Sequence, residues 1–200
     1  MNARTLPLLL LALLLSACAL VAESPETYFY SLYPVARPEQ AQPPARPVSL
    51  GVGPLEFPEL LKRPQIVTRR SPAEVDLAEF HQWGGSLAEE FLHVLADDLS
   101  TRLALERVQT YPWDSRSRPD YQLRLTVERF DGALGGEVVL RARWQLLARG
   151  RRGEAAGGRL TLRETAAGPG YADYVAAQSR LVDRLAAEVA EALRRLVDGE

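Results

Sequence analysis

The sequence predicts an α+β fold: a two-layer sandwich in which two helices cover one face of a mostly antiparallel sheet. Three observations carry this prediction. Apolar and polar residues alternate from residue 121 to 146, a helical apolar pattern follows residue 86, and a second one fills residues 172–197. Elements with one apolar face must bury that face against each other. The 200 residues are 46% hydrophobic and 25% charged, as expected for one globular domain, which we assign to residues 48–200.

The first half of this domain combines short strands with a proline-rich loop. Residues 48–53 alternate in polarity and predict a strand that Pro54 closes, because proline cannot donate to a sheet ladder. Residues 55–64 contain further prolines and predict a loop. Residues 65–70 and 75–80 then predict two strands that can pair as a hairpin.

The first predicted helix begins at Ser86. Its hydroxyl can cap the helix, while the Glu89 side chain can return to the Ser86 backbone N–H, as in a capping box. Apolar residues then recur at helical spacing and predict one buried stripe. The stripe consists of Leu87, Phe91, Val94, Leu95, Leu99 and Leu103.

A hairpin and a long helix are predicted for the second half. Residues 121–128 alternate with a period of two, a glycine-containing turn follows at 131–136, and the alternation resumes at 138–146. A strand at 159–164 extends this meander, and residues 172–197 form the last helix. The apolar residues of this helix recur every seven positions at Val175, Val182, Val189 and Leu196.

Charge and cysteine content exclude several classes of function. The formal net charge is −2 and the pI is near 5.8, whereas proteins that bind nucleic acid normally present a basic face. The one cysteine excludes an internal disulfide, and with two histidines a closed Cys/His zinc site cannot form. We therefore expect neither a nucleic-acid partner nor a bound metal.

The N-terminus predicts an export signal that ends at a lipid-attachment site. Residues 1–17 contain Arg4 and an apolar run of about ten residues, which is shorter than the ~20 residues of a spanning helix. The run ends in LSAC at 15–18, which resembles the lipobox of bacterial lipoproteins. Small residues before Cys18 suit a peptidase cleft, and the Cys18 sulfur can carry a diacylglycerol. The alternative is an ordinary secretory signal with a chance cysteine.

Lipidation would make Cys18 the first residue of the mature chain. A diacylglycerol and an N-acyl chain such as palmitate would be attached to it, and we expect no other cofactor. Ala19 stands where an aspartate favours retention in the inner membrane of Gram-negative bacteria, so we expect the periplasmic face of the outer membrane. Residues 18–47 follow as lipidated N-terminus and tether, because the proline-rich segment 33–47 favours extended conformations.

Sequence blocks along most of the mature chain carry a resemblance to a known family. The most specific are RPQIVTR at 63–69 and YPW at 111–113. Further blocks are Tyr30-x-Leu32, GPLxFP at 53–58, AEFxxW at 78–83, LAxDL at 95–99, Asp120-Tyr121 and RFDG at 129–132. Together they resemble the ABC-type transport auxiliary lipoprotein family, the PqiC/YmbA-like proteins.

The resemblance implies an outer-membrane-anchored auxiliary component of an inter-membrane lipid transport system. Its partner would be an MCE-domain tunnel protein linked to an ABC transporter, and it would act by docking, not as an enzyme. A homo-oligomer would suit such a symmetric tunnel. Only Cys18 carries over as a site residue. Two alternatives stay open: a structural lipoprotein of another outer-membrane assembly or export machine, and a lipid-anchored periplasmic hydrolase.

Few residues suggest chemistry. Glu90, His93 and Asp97 lie along one side of the first helix and could hold a metal ion, but the matching second motif of a di-iron site is missing. A solvated helix face is the simpler interpretation. Neither a Gly-x-Ser-x-Gly elbow nor a phosphate loop occurs, and lipidation removes the only thiol. The sequence thus predicts a protein that is not an enzyme.

A partner surface is predicted on the proline-locked loop. A rigid apolar segment loses little conformational entropy on binding. The candidate residues are Leu55, Phe57, Leu60 and Leu61, together with Trp83 and Trp113, since tryptophan is enriched in binding hot spots. The alternative is that these side chains cover an edge of the sheet. Trp144 alternates with Leu140 and Leu146 and is expected in the core.

Overall fold

Two sheets and two long helices make up residues 25–114, 118–151 and 153–199, which the computed structural model describes. The fold is α+β, as predicted. The signal residues 1–17 and Cys18 lie outside the described residues. The strands are β1 (Tyr28–Tyr30), β2 (Leu50–Glu56), β3 (Gln65–Arg69), β4 (Val75–Trp83), β5 (Val108–Thr110), β6 (Tyr121–Gly132), β7 (Glu137–Ala148) and β8 (Ala156–Thr165), and the helices are α1 (Leu87–Leu103) and α2 (Tyr171–Asp198).

The larger sheet has five strands in the order β5-β2-β6-β7-β8. β6, β7 and β8 form the predicted antiparallel meander, in which Tyr121 pairs with Ala148 and Glu137 with Thr165. β2 runs parallel to both β5 and β6. α2 packs on β7 and β8, α1 packs on β2 and β5, and the two helices pack on each other. The two helices therefore cover the sheet as a second layer.

The smaller sheet has three strands in the order β1-β4-β3. β3 and β4 form the predicted hairpin, although β4 extends to Trp83. β1 pairs in parallel with the end of β4. Tyr174 of α2 joins the two sheets, because its hydroxyl accepts from the Gly132 N–H at 3.0 Å and donates to the Val67 carbonyl at 3.0 Å.

The prediction that Pro54 ends the first strand is wrong. β2 continues to Glu56, and its pairing with β6 resumes where Leu55 lies opposite Leu125. A register shift between Val52 and Leu55 accommodates the proline, since a bulge leaves a residue outside the ladder. Gly53 has φ +119°, and a Cβ there would lie 2.7 Å from Tyr111 Cβ, so this position requires glycine.

The predicted helices are confirmed. The Ser86 hydroxyl accepts a hydrogen bond from the Glu89 N–H at the start of α1. All six residues of the predicted α1 stripe are buried. In α2 the first three heptad residues are buried, and Leu196 is half-buried against the core. Trp144 is 8% exposed, so its prediction as a core residue is also confirmed.

Candidate docking surface

Residues 31–45, which we call the strap, follow the groove between the two helices. The Leu32 N–H donates to Glu90 of α1 at 2.9 Å, and the Tyr33 N–H donates to the Ser179 hydroxyl of α2 at 3.3 Å. Farther along, the Ala45 N–H donates to Asp198 at the end of α2, at 2.8 Å. Much of the segment expected to act as a tether is therefore fixed to the domain. Its proline-rich composition predicts an extended chain but not its packing against the helices.

A buried carboxylate of α1 holds the middle of the strap. Asp98 Oδ1 accepts hydrogen bonds from the Val35 N–H at 2.9 Å and the Ala36 N–H at 2.8 Å. Asp98 is fully buried, and its Oδ2 has no hydrogen-bond partner. Burial raises the pKa of Asp98 to about 6, against the opposing effect of the two backbone N–H groups. The strap thus rests on a carboxyl group that titrates well above its usual range.

The strap gives the domain two distinguishable ends. It begins where both helices begin, since the Gly84 N–H donates to the Tyr30 carbonyl immediately before α1. We call this the anchor end. The far end holds the helix C-termini, the start of β2 and the residues that follow β5, because β5 pairs with the first three residues of β2. Between Leu123, which pairs with Val52, and Gly132, β6 spans about 30 Å at ~3.3 Å per residue.

The prediction of a partner surface is wrong for two residues of the proline-rich loop and for Trp83 of β4. Phe57, Leu61 and Trp83 are 7%, 4% and 4% exposed and belong to the hydrophobic core. The Phe57 ring packs edge-on against Phe91, with ring centroids 5.7 Å apart. The half-buried Leu55 and Leu60 also pack against the core. The loop therefore covers the core, because its apolar side chains stabilise the fold more when they leave water.

Trp113 is the candidate that stays at the surface. It lies half-buried at the far end, where its ring fills the space a Cβ on Gly51 would occupy, at 2.8 Å. The Tyr111 ring stands perpendicular to it with centroids 5.4 Å apart, and Tyr111 is 51% exposed. Trp113 also lines an open groove of about 530 Å³ with Pro112, Thr110 and the α1 residues His93 and Asp97.

Comparison with known proteins identifies the family. The family model for the ABC-type transport auxiliary lipoprotein component matches residues 30–190. The chain belongs to this family. No curated protein matches the sequence. Neither helix in the described part of this auxiliary lipoprotein has the length and hydrophobicity needed to cross a membrane.

Two solved structures share the fold of this auxiliary lipoprotein. A crystal structure of an uncharacterized protein has a TM-score of 0.68 at 22% identity, covering 84% of this chain and 99% of the other. Protein XCC0632 from Xanthomonas campestris has a TM-score of 0.65 at 17% identity, covering 80% of this chain and 92% of its own. At these identities the likeness concerns the fold alone.

Two sequence blocks that carry the family resemblance meet in a buried ion pair. Arg69, from RPQIVTR, donates to both carboxylate oxygens of Asp131, from RFDG, at 3.0 and 2.7 Å. Arg129 donates to Asp131 Oδ1 at 2.7 Å. Burial alone would raise the pKa of Asp131, but the two guanidinium groups outweigh it and hold this pKa below its usual value. The blocks therefore join β3 of one sheet to β6 of the other.

The residues considered for metal binding do not converge. The Glu90 carboxylate accepts a hydrogen bond from the Leu32 N–H of the strap. His93 and Asp97 are exposed and line the groove beside Trp113. Within residues 25–114, 118–151 and 153–199, no group of three or more His, Cys, Asp or Glu side chains could hold a metal ion. The other histidine, His81, stacks on Tyr171 with ring centroids 4.0 Å apart.

Proposed function

We propose that this auxiliary lipoprotein is held by acyl chains on Cys18 at the periplasmic face of the outer membrane. There it docks onto the MCE-domain tunnel of an ABC-linked lipid transport system and has no catalytic turnover of its own. The observation that carries the proposal is the family match over residues 30–190, together with a lipobox-like LSAC at 15–18. The family is one of transport auxiliary lipoproteins and not an enzyme family.

The anchor is favoured by the position of the cysteine. The only cysteine of the chain directly follows the small residues that end the predicted signal. Each buried acyl CH₂ contributes about 0.8 kcal/mol, and several chains on one residue make membrane attachment effectively permanent. Ala19 supports sorting to the outer membrane, as argued from the sequence.

Tyr111 and Trp113 form the proposed docking surface. Tryptophan and tyrosine supply most of the binding energy in many protein interfaces, because large rigid rings bury area at low entropic cost. Trp113 is already held against Gly51, so it loses little freedom when a partner covers it. The pair lies at the far end of the domain, where a partner approaching through the periplasm would meet it first.

Replacing the lipidated cysteine tests the anchor. We expect Cys18→Ser to abolish incorporation of labelled fatty acid and to leave the signal uncleaved, because serine lacks the nucleophilic sulfur. The matched variant Ala19→Asp should keep the label and move the protein to inner-membrane fractions. Unchanged labelling of Cys18→Ser would refute the lipobox, and an unmoved Ala19→Asp protein would contradict the sorting argument.

Removing an exposed ring tests the docking surface. We expect Tyr111→Ser to weaken co-purification with an MCE-domain protein at least about tenfold, which corresponds to a loss of about 1.4 kcal/mol. Tyr33→Ser is the control, because Tyr33 is 48% exposed, close to the 51% of Tyr111, but lies on the strap. Equal losses from both variants would contradict a site at Tyr111, and capture of a barrel protein instead would favour the assembly lipoprotein.

A further inference from the structure

Most of the strongly exposed apolar side chains belong to two neighbouring parts of the fold. Within the described residues, six large hydrophobic side chains are strongly exposed, and four of them lie on the three-stranded sheet or on the turn between β6 and β7. These four are Tyr28 at 50%, Phe29 at 67%, Leu77 at 47% and Leu134 at 38%. Exposed apolar groups gathered in this way mark a surface that contacts protein or membrane.

Contacts with the first turn of α2 place Tyr28, Leu77 and Leu134 at the anchor end. Leu77 lies opposite Val67, whose carbonyl accepts a hydrogen bond from the Tyr174 hydroxyl of α2. The Tyr28 ring stacks on His81 with centroids 5.5 Å apart, and His81 stacks on Tyr171, the first residue of α2. The turn that carries Leu134 reaches the same helix start, since a Cβ on Gly135 would lie 3.1 Å from Pro169 Cα. We call Tyr28, Phe29, Leu77 and Leu134 the anchor-end patch.

Chain length limits how the domain can stand on a membrane. Ten peptide steps separate Cys18 from Tyr28, and at ~3.6 Å per residue they reach at most about 36 Å. The chain joins the domain at the anchor end, and α2 alone is about 42 Å long at 1.5 Å per residue. With Cys18 in the bilayer, the anchor end can therefore lie on the membrane. The chain between Cys18 and Tyr28 is too short to run along the whole domain, so the far end cannot lie on the membrane instead.

We propose that the anchor-end patch rests on the lipid bilayer, with the rings of Tyr28 and Phe29 among the headgroups. The proposal rests on the lipidation of Cys18 proposed above. Tyrosine favours the membrane interface, where its ring is apolar and its hydroxyl stays in water. Phenylalanine binds there through its ring alone, on the apolar side of the headgroups. This contact orients the domain upright, with Tyr111 and Trp113 pointing away from the membrane.

The charges around the patch do not favour binding to anionic headgroups. Glu26 accepts a hydrogen bond from the Tyr28 hydroxyl at 3.1 Å, and Glu79 is exposed on β4. Arg70, on the hairpin that bears Leu77, is paired with Asp76 at 2.5 Å. Carboxylates and a paired arginine do not attract an anionic surface, so the rings and not the charges carry the contact.

Fluorescence quenching by lipids tests the orientation. The acylated full-length protein is placed in vesicles of phosphatidylcholine whose acyl chains carry bromine near the headgroups, and in unbrominated vesicles. We expect Phe29→Trp to lose at least about half of its added emission in brominated vesicles, because its ring lies at the interface. Tyr111→Trp is the matched control and should lose almost none.

Each other outcome has a separate meaning. Equal quenching of Phe29→Trp and Tyr111→Trp would overturn the upright orientation. If the introduced indole of Phe29→Trp is shielded from water in detergent and the protein has twice the mass of the monomer, a second copy covers the patch. That result would overturn the lipid contact. Mass spectrometry of Cys18 tests the proposed function independently. If no acyl group is found, the mature chain is coupled through the Cys18 thiol to maleimide lipid, and the same quenching comparison decides the orientation.

Discussion

Asp131→Ala is expected to lower the free energy of unfolding by about 3 kcal/mol, because it leaves two arginines without their partner in a largely buried site. The Asp131 side chain is 5% exposed, and those of Arg69 and Arg129 are 21% and 31% exposed. For a domain of this size the loss corresponds to a fall in Tm of roughly 9 °C. Urea and thermal unfolding of the chain lacking residues 1–18 would measure both quantities.

An exposed ion pair on the same sheet is the control for Asp131→Ala. Glu137 pairs with Arg163 at 2.6 Å, but the two side chains are 52% and 57% exposed. Surface pairs contribute at most about 1 kcal/mol, so Glu137→Ala should change the free energy of unfolding little. If the two variants differ by less than 1 kcal/mol, the pair does not hold the two sheets together.

Regular periodicity made the main elements predictable. The first two strands of the meander and both helices follow from alternation or helical spacing over eight or more residues. β1 and β5 have three residues each and no pattern of their own, so their strand state depends on pairing with β4 and β2. Short strands of this kind are specified by tertiary contacts and not by local sequence.

The proline-rich loop shows where sequence alone fails. Phe57 and Leu61 lie outside any regular helix or long strand, so no period indicates which way their side chains point. Their size favours burial as strongly as it favours a partner surface. Trp113 and Trp83 carry the same ambiguity, and only their burial in the folded domain separates them: Trp83 is 4% exposed, whereas Trp113 is half-buried at the surface.

The sequence indicates the contact beneath the strap and the buried ion pair of Asp131 only weakly. Asp98 stands between Leu95 and Leu99, on the apolar stripe of α1, and a carboxylate at such a position requires a local partner. Arg69 and Asp131 are charged residues inside the two blocks that define the family resemblance. The sequence could point to each residue but not to its partner, which lies about sixty residues away along the chain.

The buried carboxyl of Asp98 should make the stability of the domain depend on pH. Its pKa in the folded protein is about 6, raised by burial above the usual value of 3.8. The folded state therefore binds the proton more tightly, and this contribution is fully present below about pH 4 and is lost as the pH rises through 6. The loss amounts to at most about 3 kcal/mol, since each pKa unit corresponds to 1.36 kcal/mol.

Asp98→Asn isolates this contribution, because the amide oxygen can still accept the Val35 and Ala36 N–H groups but carries no charge. As the pH rises from 4 to 7, the free energy of unfolding of the variant should increase relative to that of the wild type. Asp131 and Asp120 have lowered pKa values, so their contribution to stability rises with pH. Both proteins contain these two residues, and the difference between the proteins removes their contribution. Asp98→Ala should instead release the strap at every pH and expose residues 31–45 to proteolysis. A constant difference between Asp98→Asn and wild type would contradict a buried, titrating carboxyl beneath the strap.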